Sequence, residues 1–353
     1  MEVNIVDPLS DERWSEFVER NPRSSVFHHV GWLNALWRTY NYKPIAFTTS
    51  HPGEPLANGL VFCEIRSWML GRRLVSLPFS DHCDLLADSA QSRADLLERL
   101  AGRVGGEFKY AEIRSVDPLA IPPDGNWRPG ERFVHHTLSL EPSTDDLYRN
   151  FHVDCIQRKI RRAEKEDLHY SKGCSEELLR QFYGLLLRTR RRHRIPPQPL
   201  KWFQNLMAFM GDQLTIRLVS KDAHPTAAIV TLSHQGTTTY KYGCSDERCN
   251  RYGGMPFLFW KIIEEERTQG KRLLDLGRSE ISNSGLVQFK NRLGAKQNPM
   301  NYYIYSRENG HPSRSLWIAH LASRIMPRLP SAALHLPRTI LAAPGSFLYK
   351  HMD

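Results

Sequence analysis

Residues 237–305 read TTTYKYGCSDERCNRYGGMPFLFWKIIEEERTQGKRLLDLGRSEISNSGLVQFKNRLGAKQNPMNYYIY, and strand-like runs alternate in them with helix-like runs. TTTYKYG, from Thr237, alternates aromatic and β-branched residues as a strand does. A polar loop, SDERCNRYGGMP, feeds the helical run FLFWKIIEEERTQG, which stops at Gly270. RLLDLG follows at once as a short buried strand. After GRSEISNSG come a short helix, LVQFKNRLGA, and an aromatic strand, MNYYIYS. Strand, helix and strand at this spacing imply a crossover with at least one parallel strand pair. Ligands of such units bind beyond the carboxyl ends of the strands, where a glycine-rich loop opens onto a helix amino terminus. Arg251-Tyr252-Gly253-Gly254-Met255-Pro256 is such a loop, and the chemistry is expected there.

The same plan can be followed outward. LTIRLVS, the turn KDAHP and TAAIVTLSH precede the stretch as a hairpin, and PIAFTTS, HPGEP and LANGLVFCEIRS match that hairpin in the first half. LVSLPF, the loop SDHCD, the helix SRADLLERLAGRVGG and the strand YAEIRS then match the later crossover. Both matched segments end in Arg-Ser, at Arg114-Ser115 and Arg278-Ser279. The chain therefore reads as two copies of one α/β domain, at residues 1–140 and 141–306, with a tail over 307–353. Ahead of the first hairpin, Trp14, Phe17 and Val18 share one face of a helix capped by Ser10. Trp32, Leu33, Leu36 and Trp37 share a face of a second helix, and both faces read as core.

With 353 residues, 41% hydrophobic and 24% charged, the chain is globular and long enough for two domains. No apolar run is long enough to span a bilayer. The opening MEVNIVDPLSDERW does not read as a secretory signal, so a cytoplasmic location is expected. The six cysteines are scattered without a CxxC pair and read as free thiols. The adjacent His28-His29 and His135-His136 point to opposite faces if they lie in strands, so neither pair is a natural chelate and no metal is expected. GxSxG, HExxH and P-loop patterns are absent, which removes the hydrolase, metalloprotease and NTPase readings that depend on them.

A net charge of +10 favours an anionic partner. Arg158, Arg161, Arg162 and Lys165 lie on one side of the helix IQRKIRRAEK. SEELLRQFYGLLLRTRRRHR ends in arginines that suit a helix carboxyl terminus. In the tail, Trp317, Ile318, Leu321 and Ile325 form an apolar stripe. It reads either as a helix packed on the body or as a basic amphipathic patch on the inner face of an anionic membrane.

Together PFSDHCDLL, IQRKIRRAEKEDL, FYGLLLRTRRRHRIPPQP, YGGMPFLFW and LDLGRSEISNSGLVQFKNRLGA resemble the FemAB-like branch of the Gcn5-related acyltransferase (GNAT) superfamily. Bacterial proteins with a BioF2-like acetyltransferase domain, often tied to exopolysaccharide loci, are the nearest in pattern. The resemblance covers residues 10–306. It implies an α/β (α+β) fold of two tandem GNAT-type domains, each a mixed twisted sheet flanked by helices. It also implies an acyltransferase that uses acyl-coenzyme A, or aminoacyl-tRNA, as co-substrate. The acceptor would be an anionic small molecule or a carrier-linked glycan or peptide of the cell envelope. The family's Phe-Lys pair matches Phe289-Lys290, and its basic helix implies that Arg158 and Arg161 grip acceptor phosphates. FemAB cell-wall enzymes have a lysine where this chain reads LNAL (Leu33 to Leu36), and they often carry a helical arm with no counterpart here.

Acyl transfer needs a held donor, a stabilised oxyanion and a route for the proton. Gly253 and Gly254, with Arg251, suit a donor pyrophosphate at a helix start, or they form an ordinary tight turn. Lys290 is expected to stabilise the oxyanion or a donor phosphate. Asp81 and Asp84 are candidates for base or acceptor orientation, or for turn capping. Tyr242, beside Tyr240, lines either an acceptor groove or the core. Arg278 is a candidate substrate contact, or the partner of the buried Asp275. Two rivals stand beside the enzyme: a non-catalytic protein recruiting a phosphorylated glycan or lipid carrier, and a nucleic-acid binder acting through RTRRRHR.

Overall fold

The computed structural model describes residues 3–67, 71–104, 106–119 and 126–307, so the amphipathic tail lies outside the described residues. They fall into two compact units. Unit 1 holds the described residues up to Arg132 together with those at 300–307, and unit 2 is Phe133–Pro299.

Unit 1 runs β1 (Asn4–Val6), α1 (Glu12–Arg20), α2 (Val30–Tyr40), β2 (Lys43–Thr48), β3 (Leu60–Ser67), β4 (Gly71–Val75), α3 (Ala90–Arg103), β5 (Ala111–Ser115) and the first half of β6 (Trp127–Ser139). Strands β1 to β4 pair antiparallel in sequence order, and β4 pairs parallel with β5. The aromatic run anticipated as the close of the second domain lies in this unit instead. Its Asn301 to Tyr305 pair antiparallel with β5. Tyr303 and Tyr305 bury in the core that α3 shares with Phe47, Phe62 and Ile113, which gives this run its place. The anticipated first helix starts one residue later than Ser10, with Asp11 as cap, and buries Trp14, Phe17 and Val18 as its spacing requires.

Unit 2 continues from the second half of β6 through α4 (Thr144–Asn150), α5 (Arg158–Lys165), β7 (His169–Gly173), α6 (Glu176–Arg192), α7 (Leu200–Met210), β8 (Leu214–Lys221), β9 (His224–His234), β10 (Thr237–Ser245), α8 (Gly254–Thr268), β11 (Leu273–Glu280) and α9 (Ser284–Arg292) to β12 (Lys296–Tyr305), whose last residues are those of unit 1. The spatial order is β6-β11-β10-β9-β8-β7. Only β10 and β11 pair parallel in it, the crossover that the alternation of elements predicts. α4, α5 and α8 close one core with Val219, Ile229, Leu274 and Leu276. α6 and α7 supply Phe182, Trp202 and Phe203 to another, around Tyr242.

A buried ion network pins α8 to the sheet. Arg217 donates through Nε to Glu265 at 2.8 Å, through one terminal nitrogen to Glu266 at 2.5 Å and through the other to Thr231 at 2.8 Å. Thr238 donates to the second oxygen of Glu266, and Tyr170 donates to Glu265. Each carboxylate is thereby satisfied, which is the condition under which buried charge is tolerated. No helix among the described residues is long and apolar enough to cross a membrane.

Candidate active site

The parallel ladder between β10 and β11 is short. It pairs Thr237, Thr238 and Thr239 with Leu273, Leu274 and Asp275, and there it ends. Beyond that point β10 stays with β9 as far as Ser245↔Ala227, and β11 stays with β6 as far as Glu280↔Phe133. Both strands are bulged where they part, between Tyr240 and Tyr242 and between Asp275 and Arg278. A bulge adds twist and re-aims side chains, so paired bulges open the sheet into a wedge toward the carboxyl ends of both strands.

The bulge also decides the two tyrosines. Strand periodicity puts Tyr240 and Tyr242 on one face. The extra residue separates them: Tyr240 packs on Phe259 of α8, while the hydroxyl of Tyr242 accepts from Trp202 Nε1 at 2.8 Å. Tyr242, with 3% of its surface exposed, is part of the core under α7.

The β11 bulge is stapled from both sides. Asp275 Oδ1 accepts from Gly277 N at 2.8 Å and lies 2.7 Å from His135 Nε2. Gly277 has a φ of +69°, the left-handed conformation that glycine adopts without penalty. From α9, Lys290 Nζ donates to Gly277 O at 3.1 Å and to Arg278 O at 3.0 Å. Lys290 is only 3% exposed, so it is not the solvated helix lysine that composition alone suggests. A buried ammonium held on two carbonyls makes a fixed positive point at the level where the ladder ends. Phe289, its neighbour, packs on Phe259.

Asp275 and His135 were not paired by sequence reasoning, which weighed Arg278 as the partner of Asp275. Arg278 lies with its guanidinium 4.3 Å from the ring centroid of Phe133. The available signal was the Asp-x-Gly spacing inside a strand, which suits an Asx-type bond to a bulge amide. His136 points to the opposite face from His135, with Nε2 3.1 Å from Asn291 Oδ1. Burial first, and then the nearby Lys290 charge, push His136 down to about 4, so its imidazole is neutral at pH 7.

Past the carboxyl end of β10 the chain enters a short 3₁₀ turn, Glu247–Tyr252, and then α8. Asp246 caps the turn and is clamped by Arg248 at 2.6 Å and by Arg188 at 2.9 Å. The Arg248 hydrogen bond is the main cause holding its carboxyl well below the usual range, against a smaller cost of burial. Gly253, at φ +79°, begins α8 without a side-chain cap. Both loop glycines have packing reasons of their own. A Cβ on Gly253 would sit 2.1 Å from the carbonyl oxygen of Lys159 on α5, and one on Gly254 would sit 3.1 Å from Val219. Since Pro256 has no N–H and Phe257 N already bonds Gly253 O, the amides of Gly254 and Met255 form the open end of the helix. Arg251 is exposed beside them, stacked on Tyr252. Arg158 and Arg161 are exposed on α5; Arg158 lies 3.3 Å from Asp154, and among the described residues no carboxylate pairs with Arg161.

The acidic candidates of the first half belong to unit 1. Asp81 is 5% exposed, and its carbonyl accepts from the Tyr302 hydroxyl. Asp84 Oδ1 accepts from Ser115 Oγ at 2.6 Å, Val116 N at 2.8 Å and Asp117 N at 3.2 Å. Burial raises the Asp84 carboxyl, but His82, Ser115 and the Asp117 amide outweigh it and hold it well below the usual range. A carboxylate spent on backbone amides in this way ties down a loop, the capping role weighed for it above.

Residues 153–290 match the family model described as an acetyltransferase (GNAT) domain. Among solved structures, the chain is similar to FemX (TM-score 0.67, 12% identity, 85% of this chain and 97% of that one). It is also similar to the C-terminal domain of a putative lysylphosphatidylglycerol synthetase from Agrobacterium fabrum (0.55, 14%, 89% and 95%). A tandem GNAT protein from the clavulanic acid biosynthesis pathway is similar as well (0.51, 10%, 88% and 100%). At these identities the likeness is one of fold. No curated protein matches by sequence. Residues 153–290 thus match the acetyltransferase (GNAT) domain model, and the chain shares its fold with FemX and a tandem GNAT protein.

Proposed function

We propose that the protein moves an acyl group from acyl-coenzyme A to an amine or hydroxyl of an anionic cell-envelope or exopolysaccharide precursor. The observation that carries this reading is the wedge between β10 and β11, with buried Lys290 fixed on the β11 bulge. A narrow gap between strands suits the thin pantetheine arm of a coenzyme A thioester. The amides at the start of α8, with Arg251 beside them, suit its pyrophosphate. The acceptor's lone pair forms the new bond to the thioester carbon, the C–S bond breaks, and the departing thiolate takes up the proton that the acceptor sheds. Lys290 supplies positive charge where the carbonyl oxygen becomes an oxyanion. Arg158 and Arg161, exposed on α5, face the acceptor's anionic part, whereas Arg278, buried and stacked on Phe133, is given no part in it.

Asp81, Asp84 and Tyr242 receive no chemical step here, because their burial and bonding commit them to the interior. A second reading, an aminoacyl-tRNA donor, is favoured by the exposed arginines at the end of α6 (Arg191, Arg192 and Arg194), more cation than a pyrophosphate needs.

The test is thermal unfolding of the full chain against acetyl-coenzyme A, longer acyl-coenzymes and free coenzyme A. Saturation at about 100 times Kd adds about 2.7 kcal/mol. Arg251→Glu should reduce the shift. No shift with any coenzyme A species overturns the thioester reading in favour of the tRNA donor, for which a salt-dependent tRNA affinity is the next measurement.

A further inference from the structure

Unit 1 contains the same parallel crossover as unit 2, but its strands part under different conditions. β4 and β5 pair only at Leu74↔Ala111 and Val75↔Glu112. Ser76 N still reaches Glu112 O at 2.8 Å, and then the chain reverses. The reversal puts Leu77 at φ +49° and Phe79 at φ +63°, a region that bulky L residues rarely enter. It is closed by Leu77 N to Val75 O at 2.7 Å and by Ser80 N to Leu77 O at 3.2 Å.

The chain then returns through the lane that β4 has vacated. Cys83 N donates to Arg114 O at 2.7 Å, an antiparallel bridge to β5. On the other side Gly59, which leads into β3, exchanges two backbone bonds with Leu86, at 2.8 and 2.9 Å. Residues 83–86 therefore fill the place between β3 and β5 that the corresponding wedge occupies in unit 2.

Side chains lock the segment there. Arg114 donates to Ser80 O at 2.9 Å and to Leu77 O at 3.3 Å, and Ser76 Oγ donates to Cys83 O at 3.1 Å. His28 Nε2 lies 2.9 Å from the Asp84 carbonyl, and the Asp84 carboxylate holds the amides after β5. Every residue from Ser76 to Ala87 is buried except half-buried Asp84. The helix that follows is closed as well. Ser89 caps α3 by accepting from Ser92 N at 3.0 Å, whereas α8 starts on glycine with no side-chain cap.

The geometry points to a donor slot in unit 1 that is filled by residues 76–86 of the same chain, so that one chain binds one acyl donor, in unit 2. This inference rests on the donor reading of the unit 2 wedge. Seating a second donor would mean breaking the backbone bonds of Ser76, Cys83 and Leu86 and exposing Leu77, Phe79 and Leu85. A ligand arm makes few contacts that could replace them.

The experiment pairs calorimetric titration of the full chain with acetyl-coenzyme A and amide hydrogen exchange with and without it. One site per chain is expected. The amides of Ser76, Leu77, Ser80, Cys83 and Leu86 should exchange at least about 1,000-fold slower than an unprotected chain and be unchanged by ligand, while those around Gly254 slow further. Two sites per chain, or loss of protection at 76–86 on adding donor, overturns the inference. If acetyl-coenzyme A does not bind at all, the thioester reading fails separately and exchange alone decides the plug. Slow exchange at 76–86 sustains a filled slot, and fast exchange refutes it.

Discussion

Two crossovers of one design end differently in this chain. In unit 2 the parallel pair stops after three residue pairs, and both partners bulge away from each other. In unit 1 it stops after two, and the following segment folds back between its neighbours. The same local event, a parallel ladder that ends early, leaves backbone donors and acceptors that need partners. Unit 1 satisfies them with its own loop. Unit 2 satisfies part of them with Asp275 and Lys290 and leaves a wedge. One duplicated architecture thereby holds a closed copy and an open copy, and the open copy is where a ligand can add contacts.

The largest expected effects come from removing the buried arginine of each copy. Arg217→Met in unit 2 leaves Glu266 buried without that guanidinium, and Arg114→Met in unit 1 removes from buried Glu112 the guanidinium whose Nε lies 3.2 Å from its carboxylate. Breaking a buried ion pair from one side costs about 3–5 kcal/mol, to be read from urea midpoints. The comparison is sharpened by hydrogen exchange. Arg114→Met should speed exchange across residues 76–86, since Leu77 O and Ser80 O lose their donor, and Arg217→Met should leave that segment unchanged. Equal effects of both variants there would break the distinction between the copies.

Next in size is Lys290→Ala. If Lys290 meets the developing oxyanion, kcat falls by about 10²–10³ while donor affinity stays within a few-fold, measured by turnover and titration. A fall in affinity with kcat preserved would make Lys290 a staple of the β11 bulge only. The structural share of its role shows separately as a loss of stability, of about 1–3 kcal/mol for unpaired carbonyls.

Much of this was legible in the chain itself. The alternation in residues 237–295 predicts the parallel pair and both helices, because hydrophobic period and glycine punctuation are local properties. The Arg-Ser ends of YAEIRS and LLDLGRS mark β5 and β11, the matching second strands of the two crossovers. What was not legible depends on partners distant in sequence. Pattern alone could not give MNYYIYS to β5 of unit 1, since an aromatic strand fits either sheet. The period-2 reading of Tyr240 and Tyr242 failed at a bulge, which composition does not announce. SDHCD looked like a polar ligand loop, yet it is buried, because Arg114, His28 and Ser115 reach it from remote positions. Lys290 was found through resemblance, and its burial was not foreseen. A lysine on a helix reads as solvated until the carbonyls of a bulge are placed under it.

Acid should weaken both copies, by different groups. Burial pushes His28 in unit 1 down to about 4, against the opposing bond to the Asp84 carbonyl, and His136 in unit 2 is pushed to about the same value. Folding favours the neutral imidazole in each case. Their contribution is therefore complete above the ordinary histidine value near about 6.5 and is lost as pH falls from there to about 4. For His28 the loss is on the order of a few kcal/mol. Unit 1 then loses more below about pH 4, where depressed Asp84 leaves the unfolded chain binding more protons. Urea midpoints across pH 4–7.5 for the wild type and His28→Gln check this. The variant's profile should be flatter between pH 6.5 and 4, and an unchanged slope would remove His28 from the account.

The smallest effect separates the two well-anchored aspartates. Asp84 is held by a hydroxyl and backbone amides in the interior of unit 1. Asp246 is held by the guanidinium groups of Arg248 and Arg188, which stand in solvent. Charge interactions reached from solvent, as by these two guanidinium groups on the buried Asp246 carboxylate, are screened once the Debye length falls to about 3 Å, near 1 M salt, more than hydrogen bonds wholly in the interior. Arg248→Ala should lower the melting temperature slightly at low ionic strength and not measurably near 1 M sodium chloride. Asp84→Asn should lower it by the same amount in both. Because Asp246 caps the turn that feeds α8, a salt-dependent clamp there also predicts that donor affinity in Arg248→Ala converges on the wild type as salt rises. If the two stay apart at high salt, the Arg248 side chain acts through packing, and the open copy is held by more than charge.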